Sequence, residues 1–264
     1  QRCWNDPSLF ADERNSVFYT SEDAKLFINT LANKLGVGHK HVQTGYEDTW
    51  YYMWRERRLP VNVDPFDSRL DDELERVRLR RIFDQGLEHE VGFALPLKRE
   101  WSVGLNGPRW VTGPWFFRDE RMYLIPGDSP MGYRLPLDSL PWVSPADYPH
   151  AFEADPFATP RDLPHAAMLR AQYAPHARFT HYPTQRTAKG PVNSGVDSAL
   201  TKVPTPFESA HWVTRTGLCV EVRDPVRANG PEAELQHHTP QGVLYVFMPP
   251  LAHLDDYLDL LSAV

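Results

Sequence analysis

The 264-residue chain has only two cysteines, Cys3 and Cys219, and they lie far apart in the sequence. Two such thiols cannot form a disulfide framework or supply the paired cysteines of a zinc site. The chain also lacks a signal peptide and any apolar run long enough to cross a bilayer. We therefore expect a cytoplasmic protein that folds without disulfides and does not bind membranes.

An excess of positive charge is also lacking, because 28 basic residues stand against 35 acidic ones and the net charge is -7. Phosphate neutralisation needs clustered Lys and Arg, so nucleic acid is not an expected partner. The one basic cluster, at residues 76–81, is interleaved with acids on a predicted helix. It is therefore interpreted as a solvated helix face.

Strong catalytic motifs are absent too. The sequence contains no phosphate-binding Gly-Lys-Ser loop, no His-Glu-x-x-His, no Gly-x-Ser-x-Gly and no dinucleotide glycine pattern. Function therefore has to be inferred from single residues and from resemblance.

Turn-forming and aromatic residues are plentiful, with 25 prolines and 12% aromatics. This composition is typical of many loops and short strands. It predicts an α+β fold with short mixed or antiparallel sheets, a few amphipathic helices and long Pro-rich loops.

Helical spacing of apolar residues occurs in several segments. Residues 20–35 place Ala24, Phe27, Ile28, Leu31 and Leu35 on one face. Thr20 and Asp23 can cap this helix, and Gly36 can end it. Further helices are predicted at 71–86, near Ala166, and at 251–264, where Leu251, Leu254, Leu258 and Leu261 share a face.

Several segments instead favour strands. The predicted strands are the aromatic stretch that begins at Tyr46, "EVGFALPL" at 90–97, "WVTRTGLCVEVRD" at 212–224 and "GVLYVFMPP" at 242–250. A β-hairpin is predicted between Phe116–Phe117 and Met122–Ile125, across the polar turn "RDER".

The segment Leu124–Trp142, "LIPGDSPMGYRLPLDSLPW", contains four prolines within an apolar frame and is called the strap here. Proline lacks a backbone donor, so the strap is predicted to be neither helix nor central strand. We expect it to run extended over a surface. It would insert Met131, Tyr133, Leu135, Leu137 and Leu140 into that surface.

A change in composition divides the chain into three parts. Residues 1–144 are predicted to form an N-terminal α+β lobe, and 207–264 the start of a second α+β domain with the order strand, strand, helix. Residues 145–206 would be a Pro-rich connector, because so long an irregular loop is unusual inside one domain. Gln1 is not an initiator Met, so we expect an excised piece of a longer polypeptide.

The candidate site residues lie on the strand after Trp212 and around the strap. On that strand, Cys219, Glu221 and Arg223 would share one face. That face either meets water, with Glu221 in a surface ion pair, or lines a cleft that holds magnesium and phosphate. Asp128 and Arg134 bracket the turn of the strap, where Asp128 can also serve as a turn former.

Four stretches together resemble one family. They are "YEDTWYYMWRERRLPVNVDPFDSRLDD", "GFALPLKREW", "GPWFFRDERMYLIPGDSPMGYRLPLDSLPW" and "TGLCVEVRD…GVLYVFMPPLAHLDDYLDLLSAV". The chain is similar to the amidoligase region of large bacterial transglutaminase-like proteins, related to glutamine-synthetase-like carboxylate–amine ligases. Only the N-terminal portion of that region is expected here, since the later ligase segments are absent from the sequence.

The resemblance implies a ligase that uses ATP and magnesium to join a carboxylate to an amine, in peptide synthesis or modification. Glu221 would bind the metal, while Arg223, Arg134 and Asp128 would bind substrate or phosphate. The relatives commonly carry two Glu with one residue between them, and here Arg223 takes the second place. This piece alone is expected to hold no cofactor and to be inactive.

Implied partners are the transglutaminase-like and C-terminal ligase parts of the same polypeptide, an ATP-grasp-type protein, and a small-molecule or peptide substrate. Two other functions remain open. The chain could be a non-catalytic module that binds a peptide or glycan on Trp50, Trp54, Trp101, Trp110 and Trp115. A thiol enzyme built on Cys219 is less favoured, because that residue lies in a strand.

Overall fold

A computed structural model describes residues 19–56, 88–100, 108–117, 120–126, 133–148, 157, 162–173, 200–223 and 242–264. The helices in these ranges are α1 (Ser21–Lys34), α2 (Thr49–Glu56), α3 (Ala166–Gln172) and α4 (Leu254–Ala263), with a 3₁₀ turn at Leu137–Ser139. The strands are β1 (Gln43–Glu47), β2 (Glu90–Pro96), β3 (Lys98–Glu100), β4 (Arg109–Val111), β5 (Met122–Pro126), β6 (Tyr133–Arg134), β7 (Gly217–Arg223) and β8 (Val243–Phe247). The predicted α+β class is confirmed.

Six strands form one mixed sheet in the order β6-β5-β1-β2-β7-β8. The pair β1–β5 is parallel, and the other neighbouring pairs are antiparallel. The short strands β3 and β4 form a separate antiparallel pair. Strand β2, from residues 1–144, therefore pairs with β7, from residues 207–264, in one sheet. The predicted domain boundaries stay a prediction.

Each face of the large sheet is covered by a different layer. Phe93, Leu95, Leu218 and Val220 pack against the buried side chains of α1 and α4. The opposite face, with Ala94, Cys219, Met122, Leu124 and Tyr133, packs against Trp115, Leu140, Ala210 and Val213. The second layer is thus built from irregular and Pro-rich chain, as the composition predicted.

Helix α1 begins with a complete capping box. The Asp23 amide donates to Thr20 Oγ1 (3.3 Å), and the Thr20 amide donates to Asp23 Oδ2 (2.7 Å). These bonds hold the pKa of Asp23 below its usual value. Gly36 follows the helix with φ 74°, a conformation that favours glycine. The predicted helix, its cap and its buried face are confirmed.

The strands predicted at 90–97, 212–224 and 242–250 are confirmed as β2, β7 and β8, and the helices near Ala166 and after 251 as α3 and α4. The helix predicted at 71–86 lies outside the described residues.

The aromatic stretch after Tyr46 is mostly helical, so its prediction as a strand was wrong. Only Tyr46 and Glu47 belong to β1, and α2 covers Thr49–Glu56. Asp48 Oδ1 accepts a hydrogen bond from the Tyr51 amide (3.2 Å), which is the position of an N-cap. The cap outweighs the β-propensity of the aromatic residues.

The predicted hairpin at 116–125 is also wrong. Residues 112–117 form no strand, and β5 instead pairs in parallel with β1. The Trp115 indole donates to the Thr214 carbonyl (2.6 Å), which holds this stretch in the irregular layer. Pro114 next to it lacks the amide that a strand ladder needs.

The strap enters the sheet instead of only crossing its surface, so the prediction that none of it is a central strand was wrong. Leu124–Pro126 belong to β5, which lies between β6 and β1. Pro126 is tolerated because it is the last residue of its strand. The predicted burial of Tyr133 and Leu140 is confirmed, Leu135 and Leu137 are partly buried, and Met131 lies outside the described residues.

Helix α4 does not bury the predicted leucine face. Leu254 and Leu261 are exposed, whereas Asp256, Asp259, Leu260 and Ala263 are buried. The two aspartates pair with Arg99 from β3, at 3.1 and 3.0 Å. The pairing of these two aspartates with Arg99 therefore overrides the apolar pattern of the helix.

None of the helices in the described residues combines the length and apolar character that crossing a membrane requires.

Candidate functional site: the acidic face of the sheet

Strand β7 points its alternate side chains to opposite layers, as predicted. Leu218 and Val220 lie in the helix-covered core, while Cys219 lies in the core of the other layer. Glu221 follows Cys219 on that second face and is only 4% exposed. Glu221 is therefore not on the water-exposed surface, and its role stays a prediction.

Gly92 on β2 makes room for Glu221. A Cβ atom at residue 92 would lie 3.0 Å from the Val220 carbonyl oxygen and 3.4 Å from Glu221 Cβ. On the other side of β7, Glu221 pairs in register with Tyr245 of β8. The absence of a side chain at Gly92 thus lets β7 bring its carboxylate close to β2.

A second buried carboxylate, which the sequence analysis missed, belongs to Glu47 at the end of β1. Glu47 is 6% exposed and pairs in register with Leu124 of β5. The Tyr133 hydroxyl donates to Glu47 Oε1 at 2.5 Å. The signal available in the sequence was period-two spacing: Gly45 and Glu47 occupy alternate positions of one strand, so they share a face.

Glu47 and Glu221 lie on the same face of the sheet, which we call the acidic face. Leu124 and Tyr133 beside Glu47, and Cys219 beside Glu221, all belong to the same core cluster. Strand β2 separates β1 from β7, so the two backbones are about 10 Å apart across the sheet. Burying two carboxylates is costly, and folded proteins keep them where pairing or function compensates.

A family model described as "Putative amidoligase enzyme (DUF2126)" matches residues 1–264. The chain belongs to this family. No curated protein and no solved structure matches the chain. The amidoligase resemblance is therefore confirmed, while the transglutaminase-like context and the glutamine-synthetase-like superfamily stay predictions.

The other residues predicted for the amidoligase site are not brought together by the described part of the structure. Arg134 is exposed on β6, and because side chains alternate along a strand it faces away from the buried Tyr133. Arg223 ends β7, where its backbone pairs with Val243. Asp128 lies outside the described residues. The binding roles of these three residues stay predictions.

Magnesium, which the amidoligase resemblance implies, requires oxygen ligands. The described residues contain no group of three His, Cys, Asp or Glu side chains placed to hold a metal ion. Magnesium that binds together with ATP commonly uses one or two carboxylates, and phosphates and water supply the rest. A single carboxylate such as that of Glu221 meets this limited requirement, so Glu221 is the residue that would hold the ion.

Cys219 is unsuited to nucleophilic chemistry. Burial, followed by the charge of Glu221, raises the pKa of its thiol to about 12. A nucleophilic cysteine needs a thiolate near neutral pH. The structure therefore argues against a thiol enzyme built on Cys219.

The tryptophans proposed for recognition divide into two groups. Trp110 and Trp115 are buried, and their indoles donate to Asp259 and to the Thr214 carbonyl. Trp50 and Trp54 are 72% and 50% exposed and lie four residues apart on α2. Trp101 lies outside the described residues. Among the described tryptophans proposed for recognition, the exposed pair on α2 is the one that supports the hypothesis.

A buried polar cluster on the helix-covered side is centred on Asp259. It receives hydrogen bonds from the Trp110 indole (2.7 Å) and the Tyr173 hydroxyl (3.1 Å) and pairs with Arg99. The Arg99 guanidinium also stacks on the Trp110 ring, 4.6 Å from its centroid. Burial, followed by the charge of Asp259, raises the pKa of Tyr173. Through these contacts the cluster links β3, β4, α3 and α4.

Proposed function

We propose that this chain is part of an ATP-dependent amidoligase that joins a carboxylate to an amine in peptide synthesis or modification. Its working surface would be the acidic face. The observation that carries the proposal is the burial of Glu221 on the face away from α1, in a chain that belongs to the amidoligase family.

ATP, when bound, would supply the phosphoryl group that activates the acid, and magnesium would neutralise the charge of the phosphates. Glu221 would hold the metal at the acidic face. A buried carboxylate attracts a cation more strongly than a carboxylate in water does, because the dielectric constant around it is lower. Glu47 would add a second negative charge on the same face. Arg223, at the end of β7, would meet phosphate or the carboxylate of the substrate.

The proposal includes partners within and outside the polypeptide. The transglutaminase-like and C-terminal ligase parts would complete the site, and an ATP-grasp-type protein would act on the same small-molecule or peptide substrate. These partners rest on the resemblance described above.

The experiment compares the natural full-length polypeptide with its Glu221→Gln variant. ADP and phosphate release would be measured with ATP, magnesium and mixtures of amino acids and peptides. We expect release by the natural protein and almost none by the variant, since the amide keeps the shape of the side chain and removes its charge.

Glu100→Gln is the matched control. Glu100 is partly exposed on β3 and accepts a hydrogen bond from Arg109 at 2.7 Å, away from the acidic face. It should keep full activity. Equal activity of Glu221→Gln and the natural protein would remove Glu221 from the mechanism.

A second candidate function is recognition of a peptide or glycan by α2. Its support is the exposure of Trp50 and Trp54 at i, i+4 spacing, which places both rings on one side of the helix. Replacing both with Ala should abolish binding to a peptide or glycan array. Trp142→Ala serves as control, because Trp142 is 59% exposed outside this helix.

A further inference from the structure

The residue that donates to Glu47 belongs to the Pro-rich strap. Tyr133 is 8% exposed and lies in β6, in register with Pro126 of β5. Its hydroxyl reaches across β5 to Glu47 on β1, 86 positions earlier in the chain. The contact therefore connects the edge of the sheet with the acidic face.

The C-terminal half of the strap is fixed at several points. Leu140 is buried in the same core cluster as Tyr133, and the Trp142 carbonyl accepts from the Ala210 amide at 2.9 Å. The Arg215 guanidinium donates to the Pro141 carbonyl. Prolines reduce the freedom of the unfolded strap, so less entropy is lost when it is ordered. Tyr133 is thus presented by a segment that is anchored by packing and hydrogen bonds.

We propose that the strap positions the Glu47 carboxylate through Tyr133, and that Tyr133 is a positioning residue of the amidoligase site. This inference rests on the proposed function of the acidic face. A hydrogen bond to a charged acceptor is stronger than one between neutral groups, and it restricts the rotamer of the side chain that accepts it. Partners of this kind keep a site group in its working geometry.

A matched contact on the other side of the sheet separates positioning from stability. The Tyr173 hydroxyl also donates to a buried carboxylate, that of Asp259, but in the helix-covered layer. Tyr133→Phe and Tyr173→Phe therefore remove the same hydroxyl from the same kind of bond. Only the first change touches the acidic face.

The test measures kcat, KM for ATP and Tm for both variants of the natural full-length polypeptide. We expect Tyr133→Phe to lower kcat about 10- to 100-fold with KM for ATP nearly unchanged. Tyr173→Phe should lower Tm similarly and leave kcat unchanged. Equal kcat values in the two variants would overturn the inference and leave Tyr133 as a packing residue.

A double variant tests whether Tyr133 acts through Glu47. In a Glu47→Gln background, Tyr133→Phe should cause no further loss of kcat, because the carboxylate that it positions is gone. Independent, multiplying losses would also overturn the inference. Full activity of Glu221→Gln would instead reject the proposed function, and full activity of Tyr133→Phe with an inactive Glu221→Gln would reject the positioning role alone.

Discussion

The Cys219 thiol and the Glu221 carboxylate lie two positions apart on one face of β7, where both are almost excluded from water. The loss of hydration, followed by the charge of the Glu221 carboxylate, opposes ionisation of the thiol and raises its pKa. The sequence predicted that these two side chains share a face. It could not show that the face is buried, because burial depends on Tyr133, Leu140 and other residues far away in the chain.

The raised pKa of Cys219 predicts a loss of stability at alkaline pH. The unfolded thiol ionises near its ordinary pKa of 9.0, whereas the folded thiol stays neutral until about 12. Stability contributed by the neutral thiol is therefore complete below pH 9 and is lost as pH rises toward 12. At pH 10 the loss is about 1.4 kcal/mol.

Urea denaturation at pH 8 and pH 10 measures this effect. The decrease in unfolding free energy between these pH values should be about 1.4 kcal/mol smaller in Cys219→Ala than in the natural chain. An unchanged decrease in Cys219→Ala would show that the folded thiol ionises normally.

Local signals explain which elements could be predicted. Helix α1 has a capping box, a continuous apolar face and a terminal glycine, and all three agree. The aromatic residues of α2 favour a strand, but the segment is helical because Asp48 caps its N-terminus. Helix α4 was located correctly but its buried face was not, because Arg99 lies far earlier in the chain.

Glu47 was missed for a related reason. It lies at the end of a five-residue strand, and α2 begins two positions later. The predicted strand continued from β1 into the segment that forms α2, so Glu47 was not recognised as the last residue of a strand. Its partner Tyr133 belongs to the strap. The prolines of the strap argued against a strand there, so β6 was not predicted.

The cap of α1 gives a prediction at the scale of one element. Thr20→Ala removes Oγ1, the acceptor for the Asp23 amide, and should lower the unfolding free energy by about 1 kcal/mol. Ser21→Ala is the neighbouring control. The Ser21 hydroxyl is buried without a hydrogen-bond partner among the described residues, so its removal should be neutral or stabilising. Chemical denaturation measures both, and equal losses would contradict the assigned cap.

Across the whole molecule, two polar centres lie on opposite sides of one sheet. The acidic face carries Glu221 and Glu47, and the helix-covered side carries the cluster around Asp259. The charges around Asp259 pair with one another and connect separate elements. Under the proposed function, the acidic face would carry the chemistry, while the Asp259 cluster holds separate elements together.

Removal of Asp259 should therefore destabilise the fold strongly. Asp259→Ala leaves the Trp110 and Tyr173 donors without their acceptor and Arg99 with Asp256 alone. We expect a loss of about 3–5 kcal/mol of unfolding free energy. Glu100→Ala, which breaks the more exposed pair with Arg109, should cost less than about 1 kcal/mol. Comparable losses in urea denaturation would show that the Asp259 cluster is not a structural centre.

The central claim is that the acidic face is the ligase surface, and locating a metal ion tests it most directly. Crystals of the natural full-length polypeptide would be grown with Mn²⁺ and a non-hydrolysable ATP analogue, and anomalous scattering would locate the ion. We predict an anomalous peak within coordination distance of the Glu221 carboxylate, and no such peak there in Glu221→Gln. A bound nucleotide whose metal ion lies elsewhere, with the Glu221 carboxylate still enclosed by protein side chains, would contradict the claim.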